Sequence, residues 1–274
     1  MYNLLIAGGV ALVAYGAGFW AAGWIAGFVP AVFAFAGAWF LLGRRTGKQV
    51  EGMFRTAMEQ LQAGNMNGAR EALRAALPFG KWQVMLDGQI HGQLGAIDYL
   101  EACSLMMQKQ VTASKAKFTE AKVELAQGVD WRTRTMLACV YHRENNTDEA
   151  TKVLAEVEVG RGASRWIPGQ NGQNEVMFWA VWAYILNEAK RRDEALQVVG
   201  RGLIANPKHT GLVAVQEAMS NRKRPDFKLF GEAWYHFFPE QIPQEVLIEQ
   251  ARAAGKLPKE AANRSRMTYP MPRR

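Results

Sequence analysis

The first part of the chain is uniformly apolar, and the remainder alternates between apolar and polar positions. Residues 1–43 contain no Lys, Arg, Asp, Glu or His, and every charged side chain follows from Arg44 onward. One helical crossing of a bilayer needs about 20 apolar residues, so this segment is long enough for two. We expect crossings at Leu4–Phe19 and Ile25–Leu42, joined by a turn at Trp20–Trp24, because paired tryptophans suit the headgroup level. The pattern predicts a transmembrane helical hairpin over 1–43.

Two other interpretations of this segment stay open. Ala34-Phe35-Ala36 resembles the cleavage site of a secretory signal, and a single long, tilted or re-entrant segment would also be apolar throughout. A signal sequence has a basic start and an apolar stretch of only about 7–15 residues. This chain begins Met-Tyr-Asn and stays apolar for much longer. The hairpin is therefore the favoured interpretation.

Basic residues follow the second predicted crossing directly. Arg44, Arg45 and Lys48 lie where the membrane surface is expected, and basic residues beside a crossing are usually retained on the cytoplasmic side. We expect an integral protein of a bacterial inner membrane, with everything after residue 43 in the cytoplasm. The net charge of +8 allows a contact with anionic lipid in addition to the bilayer itself. Nucleic acid is disfavoured as a partner, because the basic residues are scattered and no readout motif is present.

The rest of the sequence lacks the motifs of common catalytic and metal sites. Cys103 and Cys139 are far apart on helical patterns, and the four histidines are dispersed. No Cys-x-x-Cys, His-Glu-x-x-His or phosphate-binding glycine loop is present in the sequence. We therefore assign no catalytic, cofactor-binding or metal-binding residues, and we expect neither a cofactor nor enzymatic activity. An enzyme with a helical catalytic domain is the least favoured alternative.

Helical periodicity continues through most of the remaining chain, and it recurs as a repeat. Within residues 176–207, one predicted helix carries Trp179 and Ala183, a second carries Ala195, and Pro207 ends the unit. This spacing resembles the tetratricopeptide repeat, a 34-residue pair of helices. In such a unit the small residues allow the two helices to cross closely, and the large residues fill the space beside the next unit.

Further copies of the frame extend this resemblance along the chain. A good match starts at Trp131, and looser copies without the early tryptophan start near Val50 and Gly95. A fifth, capping pair of helices is expected from Thr210 to Pro239. The resemblance implies an all-α fold, in which the hairpin is followed by an α-solenoid of about four to five helix pairs over 44–239.

The final residues, 240–274, have a different character. A short amphipathic helix is expected after Pro243, and a basic tail with Arg264, Arg266, Arg273 and Arg274 follows it. The segment 160–174 is also unlike the repeats, because it is rich in Gly, Asn and Gln. We expect it to form a surface loop in which Trp166 is a candidate partner contact.

The resemblance implies a scaffold that binds a protein or peptide on the concave face formed by the first helix of each pair. The residues expected on this face are mostly apolar, with one basic patch: Phe54, Met58, Tyr99, Cys103, Met106, Met107, Arg132, Cys139, His142, Arg143, Met177 and Tyr184. Such a face suits a partner with apolar anchors and an acidic group. For Cys103, Met106 and Cys139, packing between neighbouring helices is the favoured alternative.

Fold alone does not determine function, so two functional hypotheses are retained. In the first, the protein recruits another membrane-associated protein at the cytoplasmic surface and assists assembly or stability of a membrane complex. In the second, the protein is an integral structural subunit of a membrane machine, and the hairpin is its main interface. The sequence indicates neither the identity of the partner nor an oligomeric state.

Overall fold

The protein is all-α in the computed structural model, which describes residues 2–82, 85–160, 172–246 and 248. Within these residues there is no β-strand, as the sequence predicted. The helices are α1 (Tyr2–Ala22), α2 (Trp24–Gln62), α3 (Met66–Gly80), α4 (Leu86–Met107), α5 (Val111–Gln127), α6 (Trp131–Arg143), α7 (Thr147–Val159), α8 (Val176–Glu188), α9 (Arg192–Ala205), α10 (Thr210–Ser220) and α11 (Glu232–Tyr235).

Helices α1 and α2 form the apolar hairpin. The chain reverses at Gly23, within the predicted turn, with φ +87°, a left-handed conformation that glycine adopts without steric cost. Both helices are long and apolar enough to cross a membrane, and only 6% of the apolar window of each is buried in the protein. Helices in the core of a soluble domain would instead be mostly buried. The backbones approach closely at Gly27, where an added Cβ would lie 2.7 Å from the Tyr15 carbonyl oxygen.

Helix α2 continues without interruption from the apolar hairpin into the polar part of the chain. Its 39 residues correspond to a rod about 58 Å long. The sequence suggested a second crossing that ends at Leu42 and a separate helix from Val50. The two are one helix, because Gly43 and Gly47 alone do not break a helix and no proline lies between Leu42 and Val50. The first helix pair after the hairpin is therefore attached to it without a linker.

From α2 to α10, each helix packs against the next one in the sequence. Helix α4 also contacts α6, and α6 also contacts α8. Small residues permit close approach within two of the pairs. A Cβ added at Gly95 of α4 would lie 2.7 Å from the Leu125 amide nitrogen of α5. One added at Gly202 of α9 would lie 2.8 Å from the Trp179 Cβ of α8.

The same three-residue turn joins the two helices of four pairs, at residues 63–65, 108–110, 144–146 and 189–191. In each turn, the middle amide donates to the carbonyl three residues earlier, and the next amide donates to the carbonyl five residues earlier. The middle residues all have positive φ, and they are Gly64, Lys109, Asn145 and Lys190. A side chain in this conformation is strained by about 1–2 kcal/mol, but Asn tolerates it, so the turns with Lys109 and Lys190 carry a cost that glycine would avoid.

The apolar core has two parts. The smaller part lies between α2, α3 and the first half of α4, and the larger part extends from the second half of α4 to Phe238. A buried ion pair links α3 to α4: Arg70 Nη2 lies 2.7 Å from Asp98 Oδ1 and 2.6 Å from Glu101 Oε2. Such a pair is costly to break, because a charge left alone in the interior destabilises the fold by about 3–5 kcal/mol.

The second helix expected for a fifth pair is replaced by irregular structure. The chain forms a 3-10 turn at Phe227–Phe230, the four-residue α11 and a further 3-10 turn at Pro239–Gln241. Gly231, with φ +66°, separates the first two elements, and Pro239 cannot continue a helix. Of the short helix predicted after Pro243, residues 244–246 and 248 are helical; the basic tail lies outside the described residues.

The strained turns predict the effect of one substitution. Lys190 is exposed with φ +63°, so Lys190→Gly should stabilise the protein by about 1 kcal/mol and raise the midpoint of thermal unfolding by about 2–4 °C. The exposed Lys152 lies within α7, and Lys152→Gly should cost about 1 kcal/mol. Circular dichroism of the full-length protein in detergent measures both midpoints. Destabilisation by both glycines would contradict the left-handed turn.

Candidate functional site

The surface expected to bind a partner is a groove that the chain itself fills. The groove is lined by α4, α6 and α8, and the C-terminal segment, residues 227–241, lies in it. Four aromatic residues of the segment are at most 5% exposed: Phe227, Trp234, Phe237 and Phe238. The irregular backbone of the segment follows from Gly231 and Pro239, and its aromatic side chains supply the apolar area that holds it in place.

Tyr184 of α8 is the centre of one wall of the groove. Its ring lies edge-on to three rings of the segment, with centroids 5.3 Å from Phe227, 5.1 Å from Trp234 and 4.6 Å from Phe238. Its hydroxyl oxygen accepts a hydrogen bond of 3.0 Å from Gln241 Nε2. The Gln241 Oε1 atom accepts a further bond of 3.0 Å from Trp234 Nε1, so the segment is also hydrogen-bonded within itself.

Tyr99 and Arg143 form the opposite wall. The buried Tyr99 hydroxyl donates to the backbone carbonyl oxygen of Phe237. Arg143 Nη2 lies 2.8 Å from both carboxylate oxygens of Glu240. These contacts join residues that are 138 and 97 positions apart in the sequence. Near the start of α6, the Trp131 ring lies 6.2 Å from the Phe237 ring.

Arg143 occupies an aromatic box. The centre of its guanidinium group lies 5.4 Å from the Tyr99 ring centroid, 5.5 Å from that of Phe118 and 5.5 Å from that of Phe238. Its side chain is 13% exposed, against 26% for Glu240. A guanidinium group does not lose its proton in a protein, so its charge has to be compensated in place. The rings and the Glu240 carboxylate provide that compensation.

The titratable groups beside the box are held in their neutral forms. Burial, with a smaller contribution from the positive charge of Arg143, lowers the pKa of His142 below its ordinary value. Burial raises the pKa of Cys139 to about 12 and also raises the pKa of Cys103. Both thiols are therefore protonated at neutral pH, which is unfavourable for nucleophilic chemistry. Within the described part of the chain, no group of three or more His, Cys, Asp or Glu residues could hold a metal ion.

Four of the predicted partner-binding residues come together around the C-terminal segment: Tyr99, His142, Arg143 and Tyr184. His142 packs edge-on against Tyr184, with ring centroids 5.8 Å apart. Cys103 and Cys139 are fully buried, and Cys103 Sγ lies 3.6 Å from Arg143 Nη2. The expected partner, with apolar anchors and an acidic group, has the same chemistry as the segment that fills the groove.

The other predicted contacts lie apart from this cluster. Phe54 packs on the smaller core, Met58 is 52% exposed on α2, and Met106 packs partly on the larger core. Arg132 is exposed, and its guanidinium group lies 5.3 Å from the ring of the preceding Trp131.

Met177 lines a separate surface cleft of about 530 Å³ with His209 and Phe230, and Met107 is 49% exposed at the end of α4. Arg44, Arg45 and Lys48 are exposed on α2, as a contact with the membrane surface would require. Trp166 lies outside the described residues.

Sequence reasoning missed the residues of the segment that complete the site, chiefly Glu240, Phe238 and Gln241. It also missed Phe118, which forms one side of the aromatic box. A usable signal was present, because aromatic residues are dense from Phe227 to Phe238 between helix-breaking residues. A segment that is rich in aromatic rings but cannot form a regular helix is expected to pack those rings into a groove of the protein.

The neutral state of His142 predicts a pH dependence of stability. Because its pKa is lower in the folded protein than in the unfolded chain, the unfolded chain binds more protons as the pH falls below about 6.5. His142 should therefore reduce stability between pH 7 and 5.5, by up to about 1.4 kcal/mol per pH unit. His142→Gln should flatten this dependence in chemical unfolding of the full-length protein. His236→Gln, at an exposed position, is the control, and equal slopes in both variants would contradict the assignment.

Comparison with known proteins adds no relative from which a role can be transferred. No protein-family model, no curated protein and no solved structure matches the chain. The function is therefore inferred from the contacts of the groove and of the hairpin.

Proposed function

We propose that this protein is a membrane-anchored scaffold that binds partner proteins at the cytoplasmic surface of a bacterial inner membrane and assists assembly or stability of a membrane complex. In this proposal the hairpin over 1–43 is integral to the membrane, and 44–239 is a tetratricopeptide-like α-solenoid. The recurrence of one turn geometry at 63–65, 108–110, 144–146 and 189–191 supports a repeat. The unbroken α2 supports a direct attachment of this repeat to the membrane.

One observation carries the proposal: the groove between α4, α6 and α8 holds an irregular piece of polypeptide. It does so through rings packed on Tyr184 and a carboxylate bound to Arg143. A partner segment with an aromatic anchor and an acidic side chain would make the same contacts. We expect such a segment, from another membrane-associated protein, to compete with residues 227–241 for the groove.

The mode of action would be non-covalent. Anchoring both proteins in one membrane raises their effective concentration, so a partner that binds the groove weakly can still replace a tethered segment. The protonated state of both cysteines, with pKa values raised by burial, supports a role in binding rather than in covalent catalysis. No cofactor is invoked.

A second candidate function is favoured by a different observation. Gly9 and Gly16 of α1 and Gly37 of α2 have open space where a Cβ would lie, so they face away from the partner helix within the hairpin. Small residues at such positions let another transmembrane helix approach closely. With the groove occupied by its own chain, the hairpin would be the main interface, and the protein would be an integral subunit of a membrane machine.

Affinity purification of the full-length protein from its native membranes tests the scaffold proposal. Glu240→Gln should weaken the hold of the C-terminal segment on Arg143 and increase the yield of a groove-binding partner several-fold. Arg143→Gln removes the cation that both occupants need, so it should reduce the yield below that of the unchanged protein. Glu217→Gln, at an exposed carboxylate of α10, is the matched control and should have no effect.

The same experiment separates the two candidate functions. Gly16→Leu fills an outward-facing space in the hairpin, and Val13→Leu is its control at a lipid-exposed position. Loss of the partner from Gly16→Leu, with no response to the groove variants, would favour the integral-subunit function and contradict the role of the groove. A yield that responds to neither set of variants would contradict both.

A further inference from the structure

The start of α1 is bound to the soluble part of the protein at a second point, separate from the continuous α2. The Tyr2 amide donates to the Lys81 carbonyl oxygen at 2.9 Å, and the Asn3 amide donates to the Trp82 carbonyl oxygen at 3.4 Å. The Tyr2 and Trp82 rings meet edge-on, with centroids 5.5 Å apart. The turn after α3 is therefore fixed beside the end of the hairpin.

A polar contact between α1 and α2 lies at the same height along the hairpin as this connection. Asn3 Nδ2 donates to Thr46 Oγ1 at 3.3 Å, and both side chains are buried. Asn3 lies at the start of α1, and the apolar residues of α1 follow it. On α2, the apolar run ends at Gly43, one turn before Thr46. The hydrocarbon boundary of a membrane-inserted hairpin thus falls between Thr46 and the apolar residues that precede it on α2.

The exposed side chains at this level form what we term the collar: Tyr2, Arg44, Arg45, Lys48, Lys81 and Trp82. Its four basic residues are exposed, as is Tyr2 at 47%, and Trp82 is 37% exposed. Two acidic residues are near: Asp87 lies beside Gly80, with Oδ1 3.9 Å from His91 Nε2, and Glu51 lies further along α2. Positive charge therefore predominates, and aromatic rings accompany it.

This combination matches the chemistry of a negatively charged membrane surface. Tyr and Trp rings favour the headgroup level, where one edge is apolar and the other is hydrated. Each Lys or Arg near an anionic leaflet contributes about 1 kcal/mol of attraction. Lys81 and Trp82 are separated from Arg45 by more than thirty residues of sequence. The packing of α3 on α2 and the connection to Tyr2 and Asn3 bring them to the same level.

We infer that the collar binds the headgroups of anionic phospholipids, so that the turn after α3 rests on the membrane surface. This inference depends on the membrane insertion of the hairpin in the proposed function. It adds Lys81 and Trp82 to the predicted surface residues and fixes an orientation. Helix α4, about 33 Å long, leads away from the membrane from this turn. The turn at 108–110 therefore points toward the aqueous phase.

Fluorescent labels on single introduced cysteines test the inference in full-length protein reconstituted into nanodiscs. The native Cys103 and Cys139 are buried, so an exposed cysteine is labelled selectively. Lys81→Cys reports on the collar, Val13→Cys reports on insertion of the hairpin, and the exposed Lys115→Cys near the start of α5 is the control. Quenchers attached to lipid headgroups should reduce emission at position 81 at least twofold more than at position 115.

Lipid composition provides an independent readout. The protein is offered equal amounts of phosphatidylglycerol and phosphatidylcholine, and the ratio of the two lipids that co-purify with it is measured. This ratio should fall about threefold or more in the Arg44→Gln/Arg45→Gln variant. Arg55→Gln, also exposed on α2 but beyond the collar, should retain it.

The outcomes distinguish this inference from the proposed function. Equal quenching at positions 81 and 115, with position 13 quenched by acyl-chain quenchers, would overturn the collar and leave the anchor intact. An unquenched label at position 13 would overturn the membrane anchor and the collar together. An unchanged lipid preference in Arg44→Gln/Arg45→Gln would overturn the binding of anionic headgroups.

Discussion

The largely buried charge of Arg143 is the constraint on which the packing of the C-terminal segment depends. A guanidinium group remains protonated, so the fold has to supply a counter-charge or keep the group in water. The counter-charge is Glu240, which lies 97 residues later in the chain. Removing one member of such a pair leaves the other uncompensated, at a cost of about 3–5 kcal/mol when the site is fully buried. Because Glu240 is 26% exposed, the cost here is smaller.

The ion pair is one of several contacts that hold the C-terminal segment in the groove, where the sequence predicted a fifth helix pair. Phe227, Trp234 and Phe238 surround Tyr184, and the Tyr99 hydroxyl bonds to a backbone carbonyl of the segment. Aromatic packing supplies most of the favourable free energy, and the polar contacts set the register. A binding surface filled in this way is available to another protein only when the segment is displaced.

At the other end of the molecule, two connections couple the hairpin to the rest of the fold. Helix α2 runs through both, and the start of α1 is hydrogen-bonded to the turn after α3. A single helical connection could still bend along its length. The second connection restricts that bending, so the groove has a defined direction relative to the hairpin.

The sequence was sufficient to predict elements that depend on local patterns. The uncharged run to Gly43 predicted two apolar helices, and helical periodicity predicted an all-α fold. It was insufficient where distant residues decide the structure. The periodicity that begins at Thr210 favoured a capping helix pair, but Gly231 and Pro239 break the second helix. Nothing in a local pattern pairs Glu240 with Arg143 or Tyr2 with Trp82, because these contacts form only after the helices have packed.

Hydrogen exchange of residues 227–241, measured by mass spectrometry on the unchanged full-length protein in nanodiscs, shows whether the segment occupies the groove. If the segment fills the groove, the amides of Phe237 and Phe238, which bond to the Trp234 carbonyl, should exchange nearly as slowly as those of α8. Complete exchange of the segment at the earliest time point, while α8 stays protected, would show that the groove is open and would contradict the account.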